Sequence, residues 1–482
     1  MYRLFIVACL LANMAACGKP ETAKRGVEVS AIAESGAMEM KVQQALNRAE
    51  LLSNLNAFIT IDAKGALRAA RRLDASEDEK GPLAGVLLAI KDNIHVAGLP
   101  NTAGTPALKN FVPTEDNPVI AQLKKAGAIV LGKANMHELA FGITSDNTAF
   151  GPVRNPAAPM MFAGGSSGGT AAAVAAGIVE AGLGTDTGGS VRIPPALTGV
   201  TGFRPSSGRY PTGAVTPVSD TRDTIGPIAK NIAMLAKLDA VISGDAMGLP
   251  EISLDGLRLG VDRAYFYSGL DPHVKQCINR ALEGLQGAGV ELVDAEVPEL
   301  ADLLARSGFP IALFEAVRDL TTYLAKYETG LSLADLVAGV ASPDVQTVFV
   351  GATAPLTAIP EETYQLALQA LTRLQQLYAF YFEQNQLAGM VFPTTKLPAR
   401  PIKGSVETVD LNGGKIPTFP SYIHNTDPAS IAGLPAVSLP LTSVCDGLPV
   451  GLEIDGPAAS DREVLGIALA IEKLLASKVS DG

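Results

Sequence analysis

Residues 162–194 read FAGGSSGGTAAAVAAGIVEAGLGTDTGGSVRIP and set three serines, Ser166, Ser167 and Ser190, among glycines. A serine hydroxyl attacks a carbonyl only when a neighbouring group takes its proton, so the chemistry to weigh is acyl transfer and the question is the base. Upstream, LLAIKDNI puts Lys91 directly after an apolar run. A lysine desolvated there has a lowered pKa, and a neutral amine is a competent general base. The plain alternative is a lysine at a strand end with its amine in water, and glycine-serine clusters are often only flexible turns.

Two other chemistries compete for the same serines. GSSGG, residues 165–169, matches GxSxG with Ser167 in the centre, the nucleophile elbow of an α/β-hydrolase-type serine esterase. That elbow needs a strand leading into it, and NPAAPMMFAGG is a poor strand. It also needs a later histidine, which here only His273 or His424 supplies, by coincidence of position. Phosphate binding lacks both GxxxxGK[ST] and a GxGxxG after a clear strand. The Ala-rich helix that follows the cluster does gather backbone N–H groups near its start, which favours negative charge.

Positioning these groups falls to alternating helices and strands. MEMKVQQALNRAELLSNLN and ALRAARRLDA read as amphipathic helices, AFITID and GVLLAI as short strands. PVIAQLKKAG followed by AIVLGKANM is a helix feeding a strand, and TAAAVAAGIV before EAGLGTDT repeats that order, as in α/β folds. From about 265 to 390 the pattern turns to long helices carrying Phe309, Phe314, Tyr323, Tyr327, Tyr378, Phe380 and Tyr381, most of them expected in the core. Strand-like AGMVFPTT, AVSLP and GLPVGLEIDG follow, then a closing helix EVLGIALAIEKLL. Strand material on both sides of the helical region predicts one sheet with a helical insertion.

The chain has 482 residues, a formal net charge of -11, 47% hydrophobic and 18% charged residues, which suits a well-packed globular protein. It carries no dense Lys/Arg run, so nucleic acid is excluded as an expected partner. The start, MYRLFIVACLLANMAACGKPETAKRG, has a basic Arg3, an apolar run too short to span a bilayer and small residues before a cysteine. MAAC resembles the lipobox of bacterial lipoproteins, which implies a signal peptide over 1–16, a lipidated Cys17, a polar linker over 17–37 and an exported, periplasm-facing protein tethered to a membrane. Cys277 lies close to the apolar stripe Val274, Ile278, Ala281, Leu282 and Leu285 and reads as a buried free thiol, although export would also permit pairing with Cys445. No CxxC or Cys/His cluster points to a metal.

The spacing from Ser166 to Ser190 within GGSSGGTAAAVAAG...GLGTDTGGSVRIP resembles the amidase signature family, and GVLLAIKDNI, GKANMHELAFGITSDNTAFGPVRNP and GLPAVSLPLTSVCDGLPVGLEIDG extend the likeness over nearly all of 38–482. The resemblance implies a single large α/β domain with a central mixed, twisted sheet flanked by helices, the stretch 265–390 being a variable region on the substrate side. It implies Ser190 as nucleophile, Ser166 after a cis peptide as the bridging hydroxyl, Lys91 as base, and an oxyanion hole of the N–H groups of Thr187, Gly188, Gly189 and Ser190. Ser167 becomes a neighbour, Asp186 and Arg192 brace the loop, and neither metal nor organic cofactor is required. GFRPSSGRYPTGAVTPVSDTRDTIGP looks most like the indoleacetamide and mandelamide hydrolase branch and differs from aminoacyl-tRNA amidotransferase A subunits, which usually carry LDQIGP where this chain has TRDTIGP. The implied activity is hydrolysis of a small primary amide, with arylacetamides as a candidate class, to an acid and ammonia. A noncatalytic lipid-tethered binding protein on the same fold is the alternative, and it has no need for Lys91, Ser166 and Ser190 together.

Overall fold

The strand Leu87–Lys91 is apolar until its last residue and buried throughout, because both faces of the sheet it enters are covered. It runs parallel to Ile129–Ala134 on one side and to Ala181–Asp186 on the other, so Lys91 and Asp186 emerge at the same edge. In the computed structural model, which describes residues 36–477 apart from 78–79, 246 and 356, these strands belong to an eleven-stranded sheet. From one edge it runs Phe58–Ile61, Ile129–Ala134, Leu87–Lys91, Ala181–Asp186, Thr224–Ala229, Thr201–Arg204, Ala436–Pro440, Gly451–Asp455, Gly389–Pro393, Arg258–Val261 and Glu291–Asp294. The edge pair Phe58–Ile61 with Ile129–Ala134 is antiparallel, parallel pairs follow it and close the opposite flank, and antiparallel pairs fill the middle, so the sheet is mixed. The signal peptide, linker and Cys17 expected from the sequence lie outside the described residues. Among the described residues no helix is long and apolar enough to cross a membrane.

Helices cover both faces. Pro118–Lys125, Ile232–Ser243, Pro272–Gly287 and Asp461–Ser477 bury Leu123, Leu235, Ile278 and Leu465 against one face, while Ala37–Leu51, Ala63–Ala75 and the Ala-rich Gly168–Ala175 pack on another core. The insertion is built on Leu300–Lys326 and Glu361–Gln384, which pack along each other through Leu303, Ile311, Leu374 and Tyr378. Of the aromatics named from the sequence, Tyr323, Tyr378 and Tyr381 are buried and Phe314 and Tyr327 pack partly buried against the core, but Phe309 and Phe380 are more than half exposed.

Four features depart from the sequence-based expectations. The 265–390 stretch is not wholly helical: Glu291–Asp294 forms the edge strand of the sheet, its short length and two exposed ends having given little periodicity to read. The stretch judged a poor strand does form one, Ala158–Phe162, but it pairs with Arg154–Asn155 in a two-stranded ribbon and bridges Pro401 through Met161, outside the main sheet. Short helices Thr418–Ile423 and Asp427–Ala432 stand where only strand and turn were expected. Cys277 is not a free thiol; it forms a disulfide with Cys445, 168 residues away, across a Cα–Cα distance of 5.4 Å.

Candidate active site

The edge at which Leu87–Lys91 and Ala181–Asp186 end is where open α/β sheets commonly place ligands. Lys91 is fully buried there. Its Nζ lies 2.7 Å from Ser166 Oγ, and it donates to Thr185 Oγ1 at 2.7 Å and toward the Thr185 carbonyl at 3.4 Å. A neutral amine has two N–H bonds and one lone pair, so the two oxygens of Thr185 can take the hydrogens and leave the lone pair facing Ser166. Burial lowers the Lys91 pKa to about 7 against the opposing pull of the Asp186 and Asp223 carboxylates.

Ser166 is fully buried and follows a cis Gly165–Ser166 peptide. Its carbonyl accepts from His137 N at 3.1 Å and Ser145 Oγ at 3.3 Å, which fixes the segment between the ribbon and helix Gly168–Ala175. Ser167 points elsewhere: its Oγ donates to the Thr185 carbonyl at 3.3 Å. The four histidines contact other groups, His95 Tyr323, His137 Asp344 and Thr144, His273 the Leu448 carbonyl, and His424 the Tyr265 carbonyl. A Ser167–histidine pair therefore has no support in the geometry.

The loop after Ala181–Asp186 carries Ser190, which is 8% exposed and faces a cavity of about 210 Å³ together with Thr187 and Gly188. Asp186 organises this loop. It accepts from Gly189 N at 2.9 Å and Val191 N at 3.1 Å, from Arg192 Nε at 3.1 Å and Nη2 at 3.0 Å, from Arg204 Nη1 at 2.9 Å and from Ser430 Oγ at 2.8 Å. Burial works against its charge, but Arg192 and Arg204 hold its carboxyl far below the usual range. Asp186 and Arg192 are thus a buried ion pair that also shapes the loop, and removing one partner of such a pair typically costs about 3–5 kcal/mol by leaving the other uncompensated.

The expected oxyanion hole is corrected at one donor. The Gly189 N–H is directed to Asp186 and is not presented to the cavity. Gly189 has φ +130°, a conformation that side chains disfavour, and a Cβ at this position would run into Thr426. On the remaining peptides, Arg222 Nε donates to the Thr187 carbonyl at 3.0 Å and Thr426 Oγ1 to the Gly188 carbonyl at 2.6 Å. In a trans peptide the N–H points opposite its carbonyl, so anchoring Thr187 C=O aims the Gly188 N–H away from Arg222.

The sequence reading missed Thr185, Arg222, Thr426 and Asp427. Arg222 joins three elements: besides Thr187 it donates to the Gly308 carbonyl at 2.9 Å and pairs with Asp427. The only sequence signal was the TRDTIGP variation that carries it. Helix Leu300–Lys326 supplies Phe309 and Leu313 to the cavity wall, helix Pro343–Thr353 supplies Val348, and helix Thr418–Ile423 supplies Phe419 and Ile423. The charged groups on the wall are already partnered, Arg222 with Asp427 and Asp344 with His137.

The comparisons agree with this architecture. The Amidase family model matches residues 41–465. An indoleacetamide hydrolase of Rhizobium radiobacter is 43% identical over 435 residues, covering 90% of this chain and 93% of that protein. A mandelamide hydrolase of Pseudomonas putida is 42% identical over 452 residues, covering 90% and 87%. Among solved structures, a crystal structure of an amidase superposes with TM-score 0.79 at 31% identity, covering 92% of this chain and 96% of the other. Fold and comparisons together define an enzyme acting on amide C–N bonds. The chain belongs to the amidase signature family.

Proposed function

We propose that this enzyme hydrolyses a small primary amide with an apolar, aryl-bearing acyl group to a carboxylic acid and ammonia, through an acyl-enzyme on Ser190. The observation that carries this reading is the buried 2.7 Å approach of Lys91 Nζ to Ser166 Oγ beside a cavity faced by Ser190. Neutral Lys91 takes the Ser166 proton, Ser166 takes that of Ser190, and Ser190 Oγ bonds to the amide carbon. The carbonyl oxygen gains the negative charge, toward which the Gly188 N–H and its loop neighbours are the candidate donors. The proton returns along the same route to the leaving nitrogen, the C–N bond breaks and ammonia departs. Water, deprotonated by the same relay, then releases the acid and restores Ser190.

Support for the acyl group comes from apolar walls with no unpaired charge and from relatives named for indoleacetamide and mandelamide. A panel of amides scored by ammonia release tests it. An arylacetamide is expected to exceed an analogue bearing a ring carboxylate by on the order of 10²-fold in kcat/KM, because the wall offers that anion nothing in exchange for its hydration. Equal rates, or ammonia release from no arylacetamide, would reject this substrate class.

For location, the Arg3-to-Cys17 pattern supports a lipid anchor on Cys17. Cys17→Ser is expected to move the protein from the membrane to the soluble fraction. A variant that stays with membranes excludes acylation at this residue as the anchor.

A further inference from the structure

Away from the cavity, helix Pro272–Gly287 places His273 and Cys277 one turn apart on the same face, a spacing that brings i and i+4 side chains together. The loop between Ala436–Pro440 and Gly451–Asp455 brings Cys445 onto that face. One ligand atom from each of the three residues lies within 4.8 Å of the others, and Cys277 Sγ is 3.8 Å from each ring nitrogen of His273. None of the three lines the cavity beside Ser190.

We infer that opening the Cys277–Cys445 disulfide creates a site for one thiophilic divalent cation, Zn²⁺ or Cd²⁺, bound by both thiolates and His273, so that disulfide and metal are alternative occupants of one position.

Three observations support this. First, a carbonyl can only accept, so the 2.8 Å contact of His273 Nε2 with the Leu448 oxygen puts the hydrogen on Nε2 and leaves the lone pair on Nδ1. A metal-binding histidine is commonly oriented in this way, its other ring N–H given to a carbonyl. Second, bond lengths at tetrahedral zinc imply ligand atoms roughly 3.5–3.8 Å apart. Cys277 Sγ is at that range from the His273 ring but equally far from both nitrogens, so opening the disulfide must let the Cys277 side chain turn toward Nδ1 before one ion is held by both. Third, the loop has other ties to the helix, since Arg280 donates to the Val444 carbonyl at 3.3 Å and His273 to that of Leu448. Cys445 therefore stays opposite Cys277 when the disulfide opens. His273 and Cys445 are half-buried and Cys277 is buried, so entry is from the loop side.

The chemistry balances with an external dithiol as reductant. Its thiolate attacks one protein sulfur to form a mixed disulfide and expels the other as thiolate. Its second thiol then closes its own ring and frees the remaining cysteine, so that two electrons and two protons have passed to the protein. Zn²⁺ displaces the two thiol protons, and a water fills the fourth position. The site would secure the same loop in a reducing compartment that the disulfide secures in an oxidising one.

The full chain, stripped of metal and compared before and after dithiol reduction with the reductant removed anaerobically, is titrated with Cd²⁺ and followed by the ultraviolet thiolate-to-metal charge-transfer band. The reduced protein is expected to saturate at one ion per chain and the oxidised protein to show no band. In the reduced state Cys445→Ser should lose the band, and His273→Asn should weaken binding on the order of 10²-fold, both with the thermal midpoint recorded as a check on folding. No band in the reduced wild type, equal binding in both redox states, or a band retained by folded Cys445→Ser would overturn the inference.

Discussion

Ser190→Ala is expected to lower ammonia release by on the order of 10⁴-fold or more, because loss of a nucleophile removes the covalent route and leaves only binding and the oxyanion donors. Ser166 is not a substitute: it is fully buried against Lys91 and does not line the cavity, whereas Ser190 does. The fold should be spared. The loop is held by Asp186 through Gly189, Val191, Arg192 and Arg204, and none of these bonds uses the Ser190 side chain. The comparison to make is kcat for wild type and variant on one arylacetamide, with urea unfolding of both. A fluorophosphonate probe should label Ser190 in the wild type and not in the variant. A folded Ser190→Ala enzyme that retains its rate would end the assignment of this residue as nucleophile, and labelling at Ser167 would return attention to an esterase-type elbow.

Lys91→Met should be nearly as damaging, by about 10²–10⁴-fold from lost base catalysis. The variant keeps the length of the side chain but has nothing to accept the Ser166 proton across the 2.7 Å contact. In the wild type the base works only when neutral, and burial lowers its pKa to about 7. The kcat/KM of the wild type is therefore expected to fall about tenfold per pH unit below that value and to level off above it. Asp223, raised to about 6 by burial although Thr187 and the Val218 and Ser219 amides oppose the shift, is the nearby acid whose protonation removes an upward pull on the Lys91 pKa and so flattens the lowest part of the limb. Folding stability responds in a related window. Between about 7 and the ordinary 10.5 the folded state binds fewer protons at Lys91 than the unfolded chain, so this residue's contribution to stability rises with pH there. Lys91→Met should abolish both the acid limb that belongs to Lys91 and this slope. A wild-type profile flat from pH 5 to 9, or a fully active Lys91→Met enzyme, would reject lysine as the base.

Much of this is legible in the order of the amino acids alone. The apolar run ending in Lys91, the helix-to-strand units and the alternation of PVIAQLKKAG with AIVLGKANM are local patterns, and local patterns survive in one dimension because burial repeats with the period of the element. The glycine-serine stretch, with Lys91 upstream, named the candidates, of which Lys91 and Ser166 lie 2.7 Å apart at the sheet edge. What failed was of two kinds. Short elements such as Glu291–Asp294, Thr418–Ile423 and Asp427–Ala432 offer too few residues for a period to register. Partnerships across the chain leave no trace in spacing, as with Arg222 and Asp427, Arg192 and Glu453, or Cys277 and Cys445.

The sequence by itself determined the α/β class and the family resemblance, and through that resemblance singled out Lys91, Ser166 and Ser190 as the candidate groups. Only the tertiary structure decided that the Gly189 N–H belongs to Asp186, that Arg222 anchors the loop carrying Ser190, and that a wall from three helices meets it. The reason is that side-chain type and local burial are properties of short segments, whereas hydrogen-bond direction and desolvation depend on every segment packed around a group. Lys91 shows the division: its place at a strand end is written locally, but its lowered pKa requires the burial that the assembled sheet and helices provide.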